Sequence, residues 1–231
     1  NDDSFLDMPL QEQINVMNCW QYIDGEKGFV SFINLKFLND EKQTGQVNFN
    51  PKTDKGTTNS WGSEIDTQRY EISTKLGYVN PEIPWQSVGV QTAFSSHRQE
   101  SYYGLNQYDI KHNSLYANAI YNSIISDSRH KIKTGISYTY DHYDELVNTQ
   151  TLNSEFERTE RSVGAFFEYN FDNLDKLNLT AGVRVDNHNL LGTFITPRVH
   201  ARYTPWEKSA LRASFGRGKR SANIFAENQN V

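Results

Sequence analysis

The sequence predicts an all-β fold of antiparallel, up-and-down strands forming part of a transmembrane β-barrel. Three observations predict it. Segments of roughly ten residues alternate apolar with polar side chains, as a strand does when one side is greasy and the other wet. Their connections alternate between short stretches marked by Asp, Asn, Pro or Ser and long polar ones, the layout of a barrel with trimmed turns on one side of a membrane and elaborated loops on the other. Finally, Arg198, His200 and Arg202 follow one another on one wet side. That would make a poor soluble core, but it suits a water-filled lumen.

In chain order, strands are expected at residues 13–22, 29–38, 68–79, 86–97, 112–125, 131–142, 161–171, 177–187, 196–204 and 209–218. The clearest is Leu177 to His188, where Leu179, Ala181, Val183 and Val185 oppose Thr180, Gly182, Arg184, Asp186 and His188. Val163, Ala165, Phe167, Tyr169 and Phe171 repeat the pattern, with Phe166 intruding on the polar side. So do Ile132, Ile136, Tyr138 and Tyr140 against Lys133, Ser137, Thr139 and Asp141, and Leu211, Ala213 and Phe215 against Arg212, Ser214 and Gly216. The short connections are 23–28, 80–85, 126–130, 172–176 and 205–208, rich in turn formers. The long ones are 39–67, 98–111, 143–160 and 188–195. Trp85 and Trp206 each follow a proline in a short connection, and Trp20 and Tyr22 lead into another, so an aromatic girdle is expected at that rim. The first long connection is expected to cap or line a vestibule, with room for a short hairpin through Gln46 to Phe49, because loops beyond about 12–15 residues are rarely passive.

Composition agrees with a barrel and excludes several function classes. At 36% hydrophobic residues and a mean hydropathy of -0.72, no stretch approaches the roughly 18–20 apolar residues a spanning helix needs. A barrel escapes that test because only alternate residues meet lipid. The formal charge of -5 argues against nucleic acid as a partner, since phosphate binding relies on a basic surface. Cys19 is the single cysteine, so there is no disulfide framework and no cysteine-built zinc site. No pattern calls for a resident cofactor. The opening Asn-Asp-Asp carries no leader, the expectation for an exported protein after processing or for an internal piece.

The run from Ala181 to Asn228 resembles the mid-barrel portion of TonB-dependent outer-membrane receptors. The matches are Gly182, Arg184 and Asp186; Thr196, Pro197 and Arg198; Arg202, Tyr203 and Pro205; and Arg212, Ser214, Gly216, Gly218 and Arg220, in order and at hairpin spacing. The strands from Asn15 to Asn173 are consistent with the same barrel, closest in flavour to the enterobactin-receptor-like branch of Bacteroidetes. The resemblance implies the Gram-negative outer membrane and a barrel of about 22 strands around an N-terminal plug. It also implies energy delivered by the TonB complex through that plug, and a large, scarce ligand such as a ferric siderophore. Residues 1–231 are then expected to be a partial barrel domain of about ten strands, with plug, TonB box and C-terminal strands outside it, surrounded by lipid and lipopolysaccharide.

Several motifs weigh less. ASFGRGKRS, Ala213 to Ser221, lacks the Gly and the Ser or Thr of a phosphate-binding loop and alternates like a strand. Asp141, His142, Asp144 and Glu145 are dense in possible metal ligands, but alternate residues of a strand point apart. His97 with Glu100 and Asp186 with His188 read the same way. His97, His142 and His188 near the outer rim keep an outer-membrane hydrolase in view, although no spacing singles out a nucleophile beside a base. A passive porin and a soluble β-rich binding domain also remain in view; the latter requires the apolar faces to meet another sheet. The expected ligand contacts are Trp61, Arg69, Arg98, Tyr102, Tyr103, Asn106 and Tyr108 in the polar loops, because aromatics with Arg suit an anionic, aryl-rich chelate through stacking and charge.

Overall fold

The computed structural model describes residues 4–173 and 176–222. Asn1 to Asp3, two residues of the 172–176 turn, and the stretch from Asn223 to Val231, which includes the end of the receptor-like run, lie outside the described residues. Among the described residues ten strands form one antiparallel sheet in which every strand pairs with its neighbours in sequence. They are β1 (Leu10–Asp24), β2 (Phe29–Gly45), β3 (Gly62–Val79), β4 (Ser87–Tyr103), β5 (Asn106–Ile125), β6 (Asp127–Asn148), β7 (Asn153–Asn173), β8 (Leu177–His188), β9 (Gly192–Trp206) and β10 (Ser209–Gly216). One helical turn, α1 (Pro51–Asp54), interrupts the first long connection. Its start is fixed by Asn50, whose side chain accepts from the Lys52 amide, an N-cap followed by proline. No helix among the described residues is long and apolar enough to cross a membrane.

The register turns the alternation of each strand into rows across the sheet. On one face Leu76, Val90, Ala119, Ile136, Ala165, Val185 and Ile195 lie side by side. Among the described residues no second sheet covers them: Ile136 is 63% exposed and Val185 42%. The same face carries two aromatic levels. Toward the short turns stand Tyr22 and Phe29, with rings 6.1 Å apart, and Tyr78, Tyr121 and Tyr203. Eight residues up β3 stand Tyr70 and Phe37, 5.0 Å apart. Eight residues at about 3.3 Å each give roughly 26 Å along the strand, or about 20 Å of height at the roughly 40° tilt of barrel strands, which fits within the roughly 25 Å apolar band of a membrane barrel.

The strands do not stop at the upper aromatic level. β3 to β7 run 17 to 22 residues, and their upper halves form polar arms. Most of what was expected as long loops is therefore strand. Arg98 to Lys111 is a hairpin closed by Gly104 and Leu105, Tyr143 to Glu160 is a hairpin closed at 149–152, and the first connection shrinks to residues 46–61. The reason is physical: above the membrane both sides of a strand are wet, so the alternation that marks a strand vanishes while the hydrogen-bonded ladder persists. The expected hairpin at Gln46 to Phe49 is instead a single bridge from Gln46 to Phe5 followed by α1. The last strand ends at Gly216, short of 218; residues 217–222 leave the sheet and lie back over its polar face, where Lys219 donates to the Leu191 carbonyl at 3.1 Å and Ser221 to Glu160.

The buried apolar side chains among the described residues are Phe49, Tyr102, Tyr108, Ile110 and Val147. All belong to the arms or the loop beside them, so packing concentrates at that end. At the other rim the girdle is built in part as expected: Trp20, Tyr22 and Trp206 stand exposed there, joined by Tyr78 and Tyr203, while Trp85 turns under the sheet beside Asn122, Lys133, Glu168 and Asn170 of the polar face. The 80–86 turn folds on itself, with Asn80 accepting from the Ile83 and Glu82 amides, and this sets the direction Trp85 takes.

Candidate functional site: the polar face and the arms

From β2 to β9 the polar face carries a series of paired charges. At the base of the arms five residues from five strands form one row through the register: Arg69, His97, His112, Tyr143 and Arg158. His112 stacks flat on Tyr143, ring centroids 4.2 Å apart at 4°, and the Arg158 guanidinium lies 4.5 Å from the same ring. His112 Nε2 meets Asp141 Oδ1 at 2.9 Å. Above the row, the Tyr108 hydroxyl donates to Glu145 at 2.7 Å in a buried pair. Below it, Arg184 forks onto Asp186 at 2.6–2.9 Å and reaches Ser137 at 2.6 Å. Position 164 must be glycine for that fork, because a Cβ there would collide with Asp186 and Arg184.

Glu160 is the hub of the upper β7–β8 region. Arg158 Nε lies 2.9 Å away, His188 Nε2 3.4 Å away, and Ser221 donates to it. His188 Nδ1 accepts the Leu190 and Leu191 amides at 3.1 and 3.3 Å, which leaves the proton on Nε2, pointing at Glu160. Serine and histidine thus both address the carboxylate and not each other, unlike a nucleophile activated by a neighbouring base.

The seven expected contacts separate. Arg69, Tyr103, Asn106 and Tyr108 share the polar face, with Tyr103 and Asn106 directly paired across the hairpin tip. Arg98 and Tyr102 point to the opposite side. Arg98 pairs there with Glu100 and lines an external groove of about 570 Å³ with Glu100, Asp109, Lys111, Asp144 and Glu157. Tyr102 is buried, donates to Glu64 at 2.8 Å, and lies under Phe49 and the Lys55 ammonium, 4.4 Å from its ring. Burial, then the bond to Glu64, raises its phenol well above the usual tyrosine range. Trp61 stands at the tip, 6.0 Å from the Phe5 ring and beside Gly104.

The first long connection therefore does not cap a vestibule. Phe49 packs over Gly62, where any Cβ would strike the ring, and folds the loop onto the outward side. The dense ligand set also divides: Asp141 and Glu145 face inward, His142 and Asp144 outward, as do His97 and Glu100 respectively. Asp186 and His188 share a face, but Asp186 is committed to Arg184 and His188 to Glu160. Among the described residues no three His, Cys, Asp or Glu gather as a metal site. Sequence reading missed His112, Tyr143 and Arg158 as a unit, because only register joins them.

An uncovered apolar band between two aromatic levels, backed by a charged inner face, defines the wall of an outer-membrane β-barrel. Residues 20–230 match the family described as TonB dependent receptor-like, beta-barrel, and the chain belongs to that family of Gram-negative outer-membrane proteins. The alcaligin outer-membrane receptor FauA of Bordetella pertussis superposes with a TM-score of 0.69 at 13% identity, over 89% of this chain and 35% of that one. FpvAI, from its complex with pyocin S2, gives 0.56 at 12% identity, over 90% and 34%. The chain thus spans about a third of the length of these structures, and at such identity they show the fold alone. No curated protein matches the sequence.

Proposed function

We propose that the protein containing this chain imports a large, scarce ligand across the outer membrane, with energy delivered by TonB to a plug, and that the ligand is a ferric siderophore. Residues 1–231 are the partial barrel domain of that receptor, and the strands that complete it lie outside this chain. The open edges support this reading: β1 pairs only with β2 and β10 only with β9 among the described residues, and bare strand edges in lipid leave groups unpaired at several kcal/mol each. The short turns face the periplasm and the arms the exterior.

The observation that carries the ligand reading is the row Arg69–His97–His112–Tyr143–Arg158 on the inner face at the foot of the arms, with Tyr103, Asn106 and Tyr108 above it. Guanidinium, imidazole and phenol groups on one wall suit an anionic, aryl-bearing chelate. Trp61 at the tip is part of the same mouth; Arg98 and Tyr102, on the outside, shape the arm that presents it. In the full-length receptor, deleting Arg98 to Asp109 or making Arg69→Ala with Arg158→Ala should weaken ferric catecholate binding by at least tenfold. Unchanged affinity in both would remove the assignment. Cysteines introduced at Thr57 and Asp172 in intact cells test the orientation: an impermeant reagent should label the first and spare the second.

A further inference from the structure

The row from Arg69 to Arg158 stands directly above a row of carboxylates. One step toward the membrane on the same face, the register sets Lys36, Glu71, Ser95, Ser114, Asp141 and Glu160 side by side. Each arginine of the upper row reaches this lower one, Arg69 at Glu71 and Arg158 Nε at Glu160, 2.9 Å away. Lys36 lies 3.9 Å from Glu71. Across the two rows the fixed charges therefore cancel, Lys36, Arg69 and Arg158 against Glu71, Asp141 and Glu160. Positive charge beyond that balance has to come from imidazole, the side chain that changes charge between about pH 5 and 8.

The three imidazoles of this region are not equivalent. His188 Nδ1 accepts two backbone amides, so a second proton would break both bonds. His97 lies between Arg69 and His112 with Nδ1 buried and without a hydrogen-bond partner, and burial, then the Arg69 guanidinium, holds it below the usual imidazole range. His112 instead has Nε2 on Asp141 and its ring flat on Tyr143, and a carboxylate and an aromatic face are the partners a cationic imidazole takes. The other charged or titratable groups facing it are His97 of β4, Glu145 of β6, which holds the Tyr108 hydroxyl, and Arg69 and Arg158 one strand further on either side; its own strand puts Ile110 and Ser114 there. We infer that His112 and Asp141 set the charge selectivity of the ligand row: with His112 neutral the carboxylates balance the wall and anions are held weakly, and with His112 protonated the added charge holds them. The inference rests on the reading of this row as the ligand wall and adds what regulates it.

The test uses the full-length receptor and a ferric catecholate, with affinity measured at pH 7.5 and 5.5. Acid also changes the charge of the chelate, equally for every variant, so the ratio between variants is the readout. On acidification the wild type should gain affinity relative to His112→Gln by on the order of tenfold, the effect of one unit charge beside the ligand after screening. At pH 7.5 the two should agree within about twofold. His112→Lys, a fixed charge, should exceed His112→Gln at both pH values by as much as the wild type does at pH 5.5, and it stands in if His112→Gln fails to insert. Asp141→Asn, which leaves the arginines less compensated, should bind more tightly than the wild type at pH 7.5 and respond less to acid; weaker binding there would mean a purely structural carboxylate and overturn the inference. A His112→Gln receptor that keeps the wild-type response to acid, while Arg69→Ala with Arg158→Ala loses affinity, overturns the inference and leaves the ligand row intact. Unchanged affinity in that double variant removes the row itself and this inference with it.

Discussion

Below the level of Tyr70 and above it, the same strands obey different physics. In the lower region each strand has one apolar side, where Val183, Val185, Ile136 and Leu76 stand uncovered, and one polar, largely charge-paired side. In the arms both sides are polar: outward from the row holding Arg69 and His97 lie Gln68, Arg98, Lys111, Asp144 and Glu157. The lower region is held in place by the solvent it faces. The arms are held by the ladder and by contacts such as Tyr108 with Glu145 and Tyr102 with Glu64.

The sharpest way to break this contrast is to put a cation on the same face at two heights. Val185→Arg, within the apolar band, should destabilise the receptor in lipid by about 1–4 kcal/mol, the cost falling with distance from the midplane. Gln68→Arg, above Tyr70, should stay within about 0.5 kcal/mol. Denaturant titration of the full-length protein refolded into vesicles reads both, and equal costs would mean that the band does not end at Tyr70.

The contrast also explains what was legible in the sequence. Leu179 to Val185 announces its strand because lipid demands an apolar residue at every second position. Asn39 to Gly45, in a strand just as regular, reads NDEKQTG, because water on both sides demands nothing. Five of the seven expected contacts, Arg98 to Tyr108, are arm residues that looked like loop, and the tip residue Trp61 is in a loop. The inward or outward direction of Arg98 and Tyr102 depends on register, which composition cannot show. The row from Arg69 to Arg158 is a product of four successive strand pairings, none of which is encoded locally.

A second comparison sets a packed glycine below against a packed tyrosine above. Gly164→Val should displace the Arg184–Asp186 fork and cost about 1–3 kcal/mol, the penalty of leaving a buried polar group unsatisfied, with loss of global stability. Tyr108→Phe removes one buried hydroxyl bond to Glu145 and should cost about 1 kcal/mol, felt in the arms. Hydrogen exchange resolved by strand separates them: the first should speed exchange in β6–β8 throughout, the second only near Gln107 to Asp109 and Glu145 to Val147.

The smallest expected effect is a difference in the sign of pH dependence between the two ends. Near the top of the arms, Glu12, Glu41, Asp66, Glu100 and Asp109 stand side by side across the outward face. Burial, then repulsion from Glu64 and Glu41, raises the Asp66 carboxyl above its usual range. A raised folded value means that the stabilising, protonated form is fully present below the ordinary carboxylate pKa and is lost as pH rises through the raised one. Asp127, in the turn at the other end, is held down to about 2 by side-chain and backbone hydrogen bonds from Arg129. Its contribution is present above the ordinary value and lost only as pH falls toward 2. Acidifying from pH 7 to 4 should therefore raise amide protection factors, which are corrected for the pH dependence of intrinsic exchange, at the β2–β4 tips and leave those of the β5–β6 turn unchanged, and Asp66→Asn should abolish the first response. Protection at the tips that instead falls with acid would show that the carboxylate row is held by attraction to the lysines around it and not strained by its own charge.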